Sequence, residues 1–317
     1  MGSVAELGVR NIRGMFYEAL SSAKGIAWVE AISNLFTSDQ ESETYKWLTQ
    51  APMMREWVSG RQKKQFTTQG ITIENLEFEA TVGIRGKDLR RDKTDQIMIR
   101  LQDLVKRSYT HWAKLLTALI VNGTSLRAYD GQYFYSASHE EGSSGVMSNL
   151  LTVSDYAELG TPSTASNPTV DQMADIVIKV IQHMYSFKDD QGEPRNEDAM
   201  DFRIMVPTNL YGVTAAACKS LMLSSASGSR DNPVLAQEFS VKPVQNARLS
   251  STTEIYAFRT DAAAKALIRQ SETEVNPEIL GPGSDHWFKE KEMLVGIDAT
   301  RNVGLGMWWQ SVKATIS

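Results

Sequence analysis

Residues 71–84, ITIENLEFEATVGI, alternate apolar and polar side chains for longer than a compact domain usually needs. Leu76, Phe78, Ala80, Val82 and Ile84 fall on one face, and Glu77, Glu79, Thr81 and Gly83 on the other. A period of two is that of a β-strand with one buried face. Glu74-Asn75 reads as a turn, and the residues before it as a partner strand whose parity switches at Gln69-Gly70, the mark of a bulge. The expected unit is a long β-hairpin. Its first strand begins basic, with Arg61, Lys63 and Lys64, and its second is acidic, with Glu74, Glu77 and Glu79. A two-stranded hairpin alone is marginal in water, so this ribbon needs a surface to lie on.

Downstream, Asp92 is a good helix N-cap and Asn122-Gly123 a good stop. Between them Ile97, Leu101, Leu104, Val105, Trp112, Leu115, Leu116 and Leu119 make an apolar stripe with no Pro or Gly to break it. A helix of about 30 residues is roughly 45 Å long, a spine rather than an ordinary domain helix. Upstream, residues 11–36 carry helical periodicity interrupted at Gly25, and residues 37–52 are polar with isolated Tyr45 and Trp47. That segment reads as an arm anchored by aromatics.

Beyond the spine, YDGQYFYSASH (129–139) opens on a turn, and TPSTASNP (161–168) is the clearest boundary in the chain. An amphipathic helix, a buried strand (DFRIMVP), a second helix and strand candidates at 239–249 and 254–259 follow. Gly-interrupted strands begin at Met293. Helices and strands mix without regular alternation, so the fold class is α+β.

Composition narrows the function. The 317 residues are 42% hydrophobic and 22% charged, with a net charge of −5. That balance argues against a tight grip on nucleic acid phosphates. Cys218, the single cysteine, excludes an intrachain disulfide and a Cys-based zinc site, and its apolar surroundings read as core. No stretch approaches the ~20 apolar residues of a membrane helix, and the start lacks the apolar core of a signal peptide, so the reading is soluble and intracellular.

His111, His139, His183 and His286 form no metal-ligand spacing, GSSG (142–145) is not a nucleophile elbow, and GLG (304–306) lacks the third Gly of a dinucleotide site. A hydrolase built on a Ser and His139 would need a pocket joining them to an acid. No enzyme, cofactor or metal is expected. The tryptophans in arm-like segments, Trp47 and Trp57 among them, instead suit contacts with neighbouring chains.

Taken in order, FYEAL (16–20), SETYKWL (42–48), PMMREW (52–57), LEFEATVGI (76–84), RLQDLVKR (100–107), YDGQYFYSASH and VPTNLYGVTAA (206–216) resemble the Mu-like phage major head subunit family, with the Hong Kong 97 type capsid fold. The resemblance implies an N-terminal arm (1–55), an extended β-hairpin loop (56–91), a peripheral domain with the spine helix (92–165), an axial domain (166–281) and a return to the peripheral domain (282–317). It implies a self-assembling head protein that forms hexamers and pentamers of an icosahedral shell around double-stranded DNA. Scaffold, maturation protease and portal proteins would be its partners, and its location the virion, reached from the host cytoplasm. A tail tube or sheath subunit is the alternative, disfavoured by the long helix.

Covalent cross-linking is not carried over, because Lys63 and Lys64 lie near the hairpin base. The hairpin's apolar side would then cover a sibling subunit. Contacts are expected from Trp47, Trp57, Arg61, Lys63, Lys64, Ile73, Glu74, Leu76, Glu77, Phe78, Glu79 and Val82. On that reading Phe78→Asp would fold but not assemble.

Overall fold

A computed structural model describes residues 13–14, 16–22, 25–45, 70–91, 96–152, 166–225, 228–235 and 237–316. Residues 16–22 are helical. Then α1 (Ala27–Ile32) runs directly into β1 (Ser33–Thr37), followed by β2 (Ser42–Tyr45), β3 (Ile71–Glu74) and β4 (Leu76–Arg85). The short α2 (Gly86–Arg91) and the long α3 (Gln96–Val121) precede β5 (Leu150–Leu151) and α4 (Val170–Tyr185). Next are β6 (Asp201–Val206), α5 (Thr208–Lys219), β7 (Met222–Ser225), β8 (Gly228–Asp231), β9 (Ser240–Gln245) and β10 (Glu254–Arg259). The last elements are β11 (Leu267–Leu280), α6 (Asp285–Glu290), β12 (Glu292–Leu305) and β13 (Ser311–Thr315).

Two sheets organise the molecule. One is four-stranded, ordered β1-β11-β12-β4, and the other five-stranded, ordered β5-β13-β10-β6-β9. The 26 residues of α3, about 39 Å at helical rise, connect their cores. Its first half sets Met98, Leu101, Leu104 and Val105 against Ile84, Met293, Val295 and Ile297 of the four-stranded sheet. Its second half puts Ala113, Leu116 and Ile120 into the larger core shared with α4 and the five-stranded sheet. The expected stripe is thus largely the buried one, although Ile97, Trp112, Leu115 and Leu119 are only half-buried. The expected Asp92 cap lies outside the described residues. At the start of α4, Thr169 Oγ1 accepts from Gln172 N while Gln172 Oε1 accepts from Thr169 N, a capping box that fixes where the helix restarts.

The expected hairpin across Glu74-Asn75 does not form. β3 pairs antiparallel with β2, and β4 pairs antiparallel with β12, from Arg85 opposite Glu292 to Leu76 opposite Arg301. A tight two-residue hairpin turn needs positive φ, and among the described non-glycine residues only Lys291 has it. Asn75 is instead a crossing point. Its amide donates to Ser38 Oγ (3.0 Å) and the Gln40 carbonyl (2.7 Å), and its Oδ1 accepts from Gln270 Nε2 (2.8 Å). Ile73 then drops onto the four-stranded sheet at Gly304, where a Cβ would overlap the Ile73 side chain.

Among the described residues the long hairpin is β11–β12, turned through α6 and left-handed Lys291. Register shifts between Ser271 and Asn276 bend β11 where its pairing with β1 stops. Past that point β11 is an edge among the described residues, where Pro277 costs no ladder bond and Glu272, Glu274 and Glu278 stand exposed. The expected division at 281/282 therefore falls inside this hairpin. Ser311–Thr315, expected with 282–317, instead lies between β10 and β5 in the five-stranded sheet. No helix among the described residues is long and apolar enough to cross a membrane.

Candidate assembly surface

The two faces of β4 behave as its alternation demands, but its partner is its own chain. Outward, Glu77 and Glu79 are exposed, and Glu79 stands directly opposite Asp298 on β12. Like charges in that relation repel, which leaves an acidic stripe, extended by Glu278 on β11, suited to a basic neighbour. Thr81 Oγ1 donates to Glu79 Oε2 (3.0 Å) and partly satisfies that carboxylate.

Inward, Val82 is half-buried beside Ile84 in the core under α3, and Phe78 meets His111 edge-on at 4.4 Å between ring centres. Ile73 is 3% exposed in the main core. Ile73, Phe78 and Val82, expected to cover a sibling subunit, are thus spent within the chain, because β12 and α3 supply the cover that nearby sequence lacks. Leu76, at 47% exposure, and Glu74, Glu77 and Glu79 remain open to contact. Trp47, Trp57, Arg61, Lys63 and Lys64 lie outside the described residues.

Where α3 passes beneath β4 and β12, a cavity of about 380 Å³ opens. Phe78, Ala80, Val275, Ile297 and Ala299 give it apolar walls, Arg107, Lys114, Arg248 and Arg301 its cationic ones, and His111 lies among them. Burial, with Arg301, Lys114 and Arg248 close by, lowers the His111 pKa to about 4. The fold therefore favours the neutral ring. That preference is fully expressed above the ordinary histidine pKa and is lost as pH falls toward 4. Sequence reading missed this group, since Arg301 on β12 and Arg248 in the turn after β9 are far from α3 in sequence and only the fold brings them to it.

His139, the one candidate base, is a structural residue. Its Nδ1 lies 2.5 Å from Asp130 Oδ2 and its Nε2 3.3 Å from the Phe134 carbonyl, while its ring stacks on Trp308 at 3.9 Å. Both nitrogens are occupied, so neither is available to activate a serine. Around it, Asn149 donates to the carbonyls of Phe134, Trp308 and Ser311 and accepts from Ser136 N. Arg195 pairs with Glu141 and covers the Trp309 ring at 3.9 Å. The YDGQYFYSASH segment is thereby knotted to the last turn before β13. Cys218 is buried on α5, with its thiol pKa raised by burial to about 11. Among the described residues no group of three or more His, Cys, Asp or Glu side chains could hold a metal ion.

Comparison with known proteins agrees with this architecture. In solved structures the fold is similar to the subunit of the procapsid of bacteriophage JBD30, with TM-score 0.55 and 19% identity over 99% of this chain and 76% of that one. It is also similar to the mature capsid of bacteriophage PhiM1 (0.53, 9%, over 92% and 87%) and the capsid of cyanophage P-SCSP1u (0.53, 10%, over 92% and 88%). At such identities the likeness shows the fold alone, an α+β capsid fold of the Hong Kong 97 type.

Two curated sequences align in part. The major capsid protein of Escherichia phage Mu is 32% identical over 108 residues, 34% of this chain and 35% of that protein. The Mu-like prophage FluMu major head subunit of Haemophilus influenzae is 26% identical over 145 residues, 46% of this chain and 47% of that protein. The chain thus aligns with less than half of the length of either curated relative. Residues 8–162 and 229–316 match the family described as Mu-like prophage major head subunit gpT, and by that match, which takes in both strands of the β4–β12 pair, the chain belongs to this family.

Proposed function

We propose that this chain is the major head protein of a tailed bacteriophage, assembling into hexamers and pentamers of an icosahedral shell around packaged double-stranded DNA. The observation that carries the reading is the family match joined to a capsid fold over nearly the whole chain. The tail tube or sheath alternative has no support in either comparison. On this reading the protein is not an enzyme and needs no cofactor. Scaffold, maturation protease and portal proteins are its partners, and it passes from the host cytoplasm into the virion.

Subunit contacts would combine the exposed Leu76, Glu74, Glu77 and Glu79 with the basic and aromatic residues Trp47, Trp57, Arg61, Lys63 and Lys64 of a neighbour. Exposed ion pairs contribute about 0–1 kcal/mol each, so they set register more than strength. Strength comes from area: an interface of ~2,000 Å² gains tens of kcal/mol gross at ~25 cal/mol per Å², before ordering costs reduce it. Closure of the shell multiplies the remainder.

Sedimentation velocity and negative-stain imaging of the expressed full chain test this. Closed shells or capsomer rings are expected. Helical tubes under every condition would favour the tail reading, and a monomer under all assembly conditions would contradict both.

A further inference from the structure

The cavity between α3 and the four-stranded sheet is built unlike a surface dimple. Four of its lining residues are basic, Arg107, Lys114, Arg248 and Arg301, whereas Glu79 and Asp298 lie on the outward face of β4 and β12. Arg107 is already held by Asp103 at 2.9 Å. Lys114, Arg248 and Arg301 form no ion pair among the described residues. Arg301 is 5% exposed. Its guanidinium lies over the Trp112 ring at 4.9 Å, and one terminal nitrogen donates to the Ser108 carbonyl (2.9 Å). Its buried Nε has no hydrogen-bond partner among the described residues. A buried cation with a free donor is costly unless something satisfies it.

We propose that this cavity receives a carboxylate side chain from a second copy of this chain, closing on it as subunits assemble. This rests on the self-assembly reading above. Arg301, Lys114 and Arg248 supply the charge, and Phe78, Val275 and Ile297 line the path of the guest's methylenes. A protein carboxylate fits better than a nucleic acid phosphate for a reason in the site itself. Its volume of about 380 Å³ admits a side chain but not a duplex backbone. The chain is also acidic overall, with 38 Asp and Glu against 33 Lys and Arg, so a second copy has carboxylates to offer.

Two arms test the assignment in the full-length protein. In the first, sodium acetate is titrated into unassembled subunits while NMR follows the His111 ring. Saturable binding that raises the His111 midpoint is expected, because a bound anion offsets the nearby cations. Lys114→Gln with Arg248→Gln, both at exposed positions, should abolish it with circular dichroism unchanged. In the second arm, Lys114→Glu with Arg248→Glu should slow assembly at least tenfold without added DNA. Absence of acetate binding would overturn the proposal. So would normal assembly of the charge-reversed subunits, including the case in which a duplex oligonucleotide displaces acetate. If the unsubstituted chain forms no shells, the proposed function fails, while the acetate arm still reports on the site.

Discussion

Trp308→Ala should cost the unassembled subunit about 3–5 kcal/mol, the range for truncating a fully buried aromatic. Trp308 is 0% exposed. It stacks on His139 and meets Phe187 and Trp309 edge-on at 5.4 and 5.8 Å. Its Nε1 donates to Glu141 Oε1 at 3.3 Å. Removing it leaves a void beside the His139–Asp130 pair, and the polar groups there lose packing that excludes water. Set against a typical stability of 5–15 kcal/mol, the loss would leave the fold marginal. Urea unfolding followed by far-UV circular dichroism measures it. A midpoint equal to that of the unsubstituted chain would mean the knot between residues 129–149 and 307–311 carries no stability. His139→Ala should also destabilise, whereas a catalytic histidine could be replaced with stability intact.

Phe78→Asp is the second large effect, and its direction reverses the expectation drawn from the sequence. The structure turns Phe78 onto His111 and the cavity wall within its own chain. An aspartate there exchanges a ring contact for a desolvated charge, at a cost of about 2–3 kcal/mol, discounted because the site is half-buried. The nearby Arg301, Lys114 and Arg248 would recover part of it. Unassembled Phe78→Asp protein should therefore unfold at lower urea, while Glu77→Lys, on the exposed face, should unfold with the unsubstituted chain. Equal stability of both variants would return Phe78 to an intermolecular role.

The stretch at 71–84 shows what sequence could and could not say. Alternation identified the face of β4 to be buried, and the structure keeps that face. It could not identify the strand beside it, because a period of two is blind to partners and β12 lies more than 200 residues downstream. Turn composition misplaced Glu74-Asn75, since Asn75 uses its side chain to bind the 38–41 loop and Gln270 rather than to reverse the chain. The spine helix was legible because its stripe is local and unbroken. The cavity was not, since Lys114, Arg248 and Arg301 come from three separate segments and carry no shared spacing.

All of this depends on β4 being a strand of its own subunit before any neighbour arrives. Hydrogen exchange of the backbone amides at 76–85, compared between unassembled subunits and assembled shells, tests it most directly. Because among the described residues β4 is an edge strand bonded on one side to β12, alternate amides should already be protected in the unassembled subunit, with protection near that of Met293–Ala299. Uniformly fast exchange at 76–85 in the subunit, with protection appearing only in shells, would contradict the account.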